Sequence, residues 1–157
     1  MRLALYQPDI PQNAGAAMRL GACFKVPVDI IEPCGFPFDD KRLRRTAMDY
    51  GAACEVLRHA SWEVFLRAFR AAGNGRLVLL STASAVSYTD FNFHAADTLL
   101  LGRESHGVPE EVRAAADAMV RIPIAADMRS LNVATAGAIV VAEALRQQGV
   151  FKGPSHL

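Results

Sequence analysis

The sequence predicts an α/β fold, a mainly parallel sheet with helices on both faces, and three observations predict it. Two near-continuous apolar runs, RLVLLST at 76–82 and TLLLG at 98–102, have the pattern of strands covered on both sides. Strand-like and helix-like segments alternate along the chain, as crossover connections between parallel strands require. No repeat, low-complexity tract or linker interrupts that alternation, so the 157 residues read as a single domain.

The elements follow in order. Residues 3–6 form a short apolar strand, and the turn-like QPDIPQN leads to a small-residue helix over 14–24 with Asn13 as its N-cap. A second strand at 28–32 stops at Pro33, and 39–45 is a charged helical turn. A short strand at 55–57 precedes a helix that Ser61 caps and that runs towards Ala72. After the two apolar strands, Pro109 opens a helix at its favoured first position, and 120–124 is a further strand. The longest helix spans 132–148, and its apolar residues Val133, Ala136, Gly137, Val140, Val141, Ala144 and Leu145 spread over more than one face. So short a chain has little material to cover such a helix, and a homodimer would supply the rest.

Composition narrows the function. The chain is 52% apolar and 21% charged, with 17 Lys and Arg against 16 Asp and Glu, which are globular values. A net charge of +1 excludes indiscriminate coating of nucleic acid but permits a local basic patch. No apolar run approaches the ~20 residues of a membrane span, and MRLALYQPD turns polar too early for a signal peptide. A cytoplasmic, membrane-free protein is the expectation. Cys23, Cys34 and Cys54 form no CxxC pair and have no histidine at zinc-ligand spacing, so neither a disulfide framework nor a metal site is expected. His59, His94 and His156 are isolated and read as surface or packing residues.

Familiar catalytic templates miss. Gly15 and Gly21 lack the paired glycines of a dinucleotide fingerprint. GRESHG at 102–107 has P-loop glycine spacing, but Val108 and Pro109 stand where Lys and Ser or Thr belong. The same segment is one residue too long for a GxSxG elbow, which demotes Ser105 as a nucleophile. Three other segments carry polar chemistry just after strands: DIPQNAG at 9–15, followed by Arg19; LGRESHGVP at 101–109; and IPIAADMRSLN at 122–132. Ligands of open α/β sheets bind outside the carboxyl ends of the strands, so the three can converge on one edge. Singly, each has a packing explanation, with Asn13, Ser130 or Asn132 as helix caps and Arg19 as a surface charge.

With IIEPCGFPFDDKRLRRTAMDY at 30–50, AVSY at 85–88 and RIPIAADMRSLNVATAGAIVVAEALRQ at 121–147, these segments make nearly the whole chain resemble the SPOUT superfamily of RNA methyltransferases, SpoU/TrmH class. The resemblance implies a C-terminal deep trefoil knot, a topology that generic connection rules exclude. It also implies an obligate homodimer, S-adenosylmethionine as methyl donor, and no metal. The implied reaction is 2′-O-methylation of the wobble nucleotide, cytidine or uridine 34, in the anticodon loop of tRNA. Methylation of another tRNA or rRNA ribose, or a catalytically silent RNA-binding dimer, remains open. By the same resemblance the donor is placed against Leu80, Gly102, Ile122, Ser130 and Leu131, where Gly102 would permit close approach. The polar site residues become Asn13, Arg19, Glu104, Ser130 and Asn132.

Arg19 is expected to stabilise phosphate or nascent alkoxide charge, because a guanidinium keeps its proton at a pKa above ~12. Asn13 and Asn132 would orient Arg19 or the ribose, Glu104 would fix Arg19, and Ser130 would position the substrate. Lys41, Arg42, Arg44 and Arg45, beside Asp39 and Asp40, form the densest basic cluster and are assigned to the RNA backbone. Ala14 and Ala16 replace residues that are more often polar, and Ala142 stands where relatives commonly carry Tyr; these departures bear on substrate grip. No appended RNA-binding domain is expected, so recognition would fall to the catalytic dimer and an exposed single-stranded loop.

Overall fold

The computed structural model describes residues 1–37, 54–73 and 75–151. The charged turn expected at 39–45, with Lys41, Arg42, Arg44 and Arg45, lies outside the described residues. Six strands, β1 (Arg2–Tyr6), β2 (Val28–Ile31), β3 (Val56–His59), β4 (Leu77–Leu80), β5 (Thr98–Leu101) and β6 (Ala118–Val120), form one sheet. Its order is β3-β2-β1-β5-β4-β6, and every neighbouring pair is parallel.

Side-chain alternation sorts the core into two layers. Leu3, Leu5, Val28, Ile30, Val78, Leu99, Leu101 and Val120 face helices α1 (Pro11–Phe24) and α4 (Val133–Gln147). Ala4, Tyr6, Ile31, Leu77, Leu79 and Leu100 face α2 (Trp62–Ala72) and α3 (Glu110–Ala115), through Trp62, Phe65 and Val112. Both faces of β4 and β5 are therefore dry, which is why their sequences are apolar without alternation. Each fully buried leucine or isoleucine contributes roughly 1.5–3 kcal/mol.

Asp29 enters the α2 layer as a buried carboxylate. Arg2 Nε pairs with it at 2.7 Å and His59 Nε2 lies 2.8 Å from its other oxygen, so the contact spans three adjacent strands. This makes His59 a packing residue, as expected. All three cysteines are free thiols.

Several expectations need correction. Helix α1 begins at Pro11, not after Asn13, with Ile10 at its N-cap. Proline's fixed φ suits the first helical position, and Asn13, released from capping, turns its side chain elsewhere. Pro109 is the N-cap of α3 and lies just outside the helix. The last strand is Ala118–Val120 rather than 120–124: beyond it Arg121 exchanges backbone bonds with Val86 and Tyr88 (2.9 Å each), and Pro123 has no N–H to continue a ladder.

Helix α4 is covered more fully within the chain than its sequence suggested. Ala134, Gly137, Val140, Val141, Ala144 and Leu145 are buried, while Val133 and Ala136 turn towards a cavity. Ile139 and Ala142 remain half-buried. Gly137 sits where a Cβ would meet Leu101 Cδ1 at 2.8 Å, so the helix lies close on β5.

Candidate active site

A cavity of about 600 Å³ opens at the carboxyl ends of β4 and β5, where the three polar segments meet. Its walls include Leu79, Leu80, Leu101, Ile122 and Leu131, and its polar rim includes Asn13, Glu104, His106, Ser130 and Asn132. Thus Leu80, Gly102, Ile122, Ser130 and Leu131, the five residues assigned to the donor, all line one space. Ser130 and Leu131 are exposed on the loop before α4.

Gly102 is also required by the loop itself. A Cβ there would meet the Gly107 carbonyl carbon at 2.8 Å and its Cα at 2.9 Å. Gly102 thus lets the loop close on itself, and Gly107 adopts a left-handed φ of 65° to do so. Paired bonds between Arg103 and Gly107, 2.9 and 3.0 Å, hold the closed loop. The Arg103 guanidinium lies over the Tyr6 ring at 5.5 Å, anchoring the loop to the sheet.

A directional chain of hydrogen bonds joins the three segments. Asn132 caps α4: its Oδ1 accepts from the N–H groups of Ala134 (3.0 Å) and Thr135 (3.1 Å). Its Nδ2 donates to Asn13 Oδ1 at 2.8 Å. Asn13 Nδ2 in turn donates to Glu104 Oε1 at 3.0 Å, and Glu104 Oε2 accepts from the Asp9 N–H at 2.8 Å. Asn13 is buried, so its polar atoms need these partners. Glu104 therefore holds Asn13 and the β1–α1 loop, rather than the expected arginine-fixing role alone. Arg19 is exposed on α1 and is not among the cavity-lining residues.

Sequence reasoning missed three contributors. The start of the β4 loop, Ser81 to Ala83, lines the cavity, as does Arg113 of α3. Asp9 also pins the neighbouring loop by accepting from the backbone N–H (3.1 Å) and hydroxyl of Ser105. Those bonds hold the Asp9 carboxyl below the ordinary carboxylate range, the Ser105 hydroxyl being the largest cause. Asp9's place just after a strand was the available signal. Among the described residues no group of His, Cys, Asp and Glu is arranged to hold a metal, and no helix is long and apolar enough to cross a membrane.

Comparison with known proteins supplies the context. The model of the SpoU rRNA methylase family matches residues 1–142. A tRNA (cytidine(34)-2′-O)-methyltransferase of Beijerinckia indica is 56% identical over 149 residues, which is 95% of this chain and 92% of that protein. A structure solved for insight into 2-OH methylation of C/U34 on tRNA superposes with a TM-score of 0.87 at 37% identity, covering 95% of this chain and 96% of the other. The AdoMet-bound rRNA methyltransferase of Sinorhizobium meliloti superposes with a TM-score of 0.83 at 31% identity, covering 92% of this chain and 55% of that one.

Proposed function

The chain belongs to the SpoU rRNA methylase family, and on that premise we propose that it methylates the ribose 2′-hydroxyl of nucleotide 34, cytidine or uridine, in tRNA. The observation that carries this reading is one cavity of mixed apolar and polar lining that holds the Asn132–Asn13–Glu104 chain.

S-adenosylmethionine fits that cavity in kind: a space of about 600 Å³ offers apolar walls for an adenine and a polar rim for a charged amino-acid end. Leu80, Gly102, Ile122, Ser130 and Leu131 would hold it. When bound, it supplies an electrophilic sulfonium methyl. The protein's own task is to place the 2′-oxygen in line, exclude water and offset charge developing on that oxygen. Asn13 and Asn132 are pre-oriented for positioning, because each amide is already committed in one direction by its partners. Ser130 offers a hydroxyl on the rim, and Arg19 is assigned the charge on the incoming nucleotide.

The remaining assignments belong to the same reading. The trefoil knot is supported by the threading of residues 119–121 between two partners. Ser81 N–H donates to Val120 O on one side, while Arg121 N–H donates to Val86 O on the other, both at 2.9 Å. A homodimer is proposed with it, from the apolar residues of α4 that spread over more than one face in the sequence. Lys41, Arg42, Arg44 and Arg45 are proposed to contact the RNA backbone, on the strength of local charge density. A single catalytic domain in the cytoplasm completes the reading.

The test is incubation with labelled S-adenosylmethionine and tRNA lacking ribose methylation, followed by mapping of the methyl. Label on the 2′-oxygen of nucleotide 34 is expected. Label on another ribose replaces the substrate assignment, and donor binding without transfer to any RNA overturns the activity.

A further inference from the structure

Methylation of a ribose hydroxyl releases one proton, and none of the groups assigned so far is a base for it. Arg19 keeps its proton, Asn13 and Asn132 are amides, and both Glu104 oxygens are engaged by donors.

A second hydrogen-bond chain ends at His106, which lines the cavity. Ser105 Oγ donates to Asp9 Oδ2, and Ser105 Oγ lies 2.7 Å from His106 Nδ1. A serine hydroxyl has one proton, and here the acceptor-only carboxylate takes it. Towards His106, Ser105 Oγ can therefore only accept, so Nδ1 must be the nitrogen that carries hydrogen. A neutral imidazole with its proton on Nδ1 presents a lone pair at Nε2. The polarity is the reverse of a hydrolase triad, in which histidine accepts from serine, so Ser105 is not an activated nucleophile.

We infer that His106, through Nε2, is the general base that takes the ribose 2′-hydroxyl proton, with Ser105 and Asp9 as positioning residues that set its tautomer. The inference rests on the ribose-methyltransferase reading. As the 2′-oxygen bonds to the methyl carbon, the carbon–sulfur bond breaks and its electron pair stays on sulfur, neutralising the sulfonium. The O–H pair remains on oxygen, and the proton passes to Nε2 and then to water. The charged groups around His106 are Asp9, joined to it through Ser105, and Glu104, Arg103 and Arg113, which line the same cavity. Asp9 is anionic through neutral pH, since its carboxyl is held below the usual range.

His106→Asn tests this with little risk to folding, because the residue is exposed and an Asn amide can still donate towards Ser105. Its single-turnover rate with saturating donor and tRNA is expected to fall about 10²–10⁴-fold, the span typical of general-base removal. Imidazole ¹⁵N spectra of the donor-free protein should show hydrogen on Nδ1 in the wild type, moving towards Nε2 in Ser105→Ala. A wild-type proton on Nε2, or His106→Asn retaining the full rate, overturns the inference. Failure of the wild type to methylate any ribose overturns the function itself, and the tautomer spectrum, which needs no turnover, tells the two failures apart.

Discussion

Replacing Glu104 with Gln removes one acceptor from a hydrogen-bond chain whose direction is set at the start of helix α4. Asn132 Oδ1 is committed to the N–H groups of Ala134 and Thr135, so Asn132 cannot flip without uncapping the helix. Its Nδ2 must then point at Asn13, which fixes Asn13 Oδ1 as acceptor and Asn13 Nδ2 as donor. Glu104 faces two donors, Asn13 Nδ2 at 3.0 Å and Asp9 N–H at 2.8 Å, and needs two acceptors. Glutamine has one, and its amide would confront a donor. A lost bond that leaves a buried donor unsatisfied costs about 1–3 kcal/mol. In a chain of this length that lowers Tm by roughly 2–4 °C per kcal/mol.

Urea unfolding with m-values and single-turnover methylation, run on Glu104→Gln beside the wild type, measure the two consequences. The midpoint should fall with m unchanged, and the rate should fall because Asn13 loses its orientation. A variant matching the wild type in both would refute the directional argument. So would a double-mutant cycle in which Glu104→Gln costs as much stability in an Asn132→Ala background, where Asn13 is free to flip, as it does in the wild type.

Other outcomes follow from the same geometry. Gly102→Ala forces a Cβ to within 2.8 Å of Gly107 and opens the Arg103–Gly107 bonds; overpacking of about 1–3 kcal/mol implies S-adenosylmethionine binding weakened roughly 5–150-fold by calorimetry. Arg19→Ala should abolish transfer while leaving donor affinity nearly intact by the same titration, since Arg19 does not line the cavity. Glu143, held down to about 2 chiefly by its bonds from Arg146, has a folded pKa below its unfolded value. Its contribution is therefore present above the unfolded pKa and lost as pH falls towards 2, and Glu143→Gln should flatten that part of the stability profile in acid titrations followed by circular dichroism.

Much of the fold was legible because periodicity reports burial. The runs at 77–80 and 98–101 announced strands covered on both faces, and Ser61 announced a helix start through a cap whose hydroxyl accepts from Val64 N–H. Asn132 was legible for the same local reason. Asn13 was not: next to a helix it looked like a cap, and only its partner 91 residues away shows that it is held by Glu104. The end of β6 was misread because apolar residues at 120–124 alternate as a strand does, whereas Arg121 pairs with a loop instead. Asp9, Ser105 and His106 carried no joint signal, since Asp9 and Ser105 lie 96 residues apart in the chain.

The sequence by itself determined the element types, the parallel sheet and the three polar segments at strand ends, together with a family resemblance spanning nearly the whole chain. These depend on side-chain period and short-range caps, which neighbouring residues settle among themselves. Only the tertiary structure decided which donor meets which acceptor. With β1 beside β5 in the sheet, the loops after them come together, and helix α4 closes over β5 to bring Asn132 to Asn13 across 119 residues. Hydrogen bonds are directional and short, so the polarity of that network, and with it the orientation of each amide and of the His106 ring, exists only once the strands have taken their order.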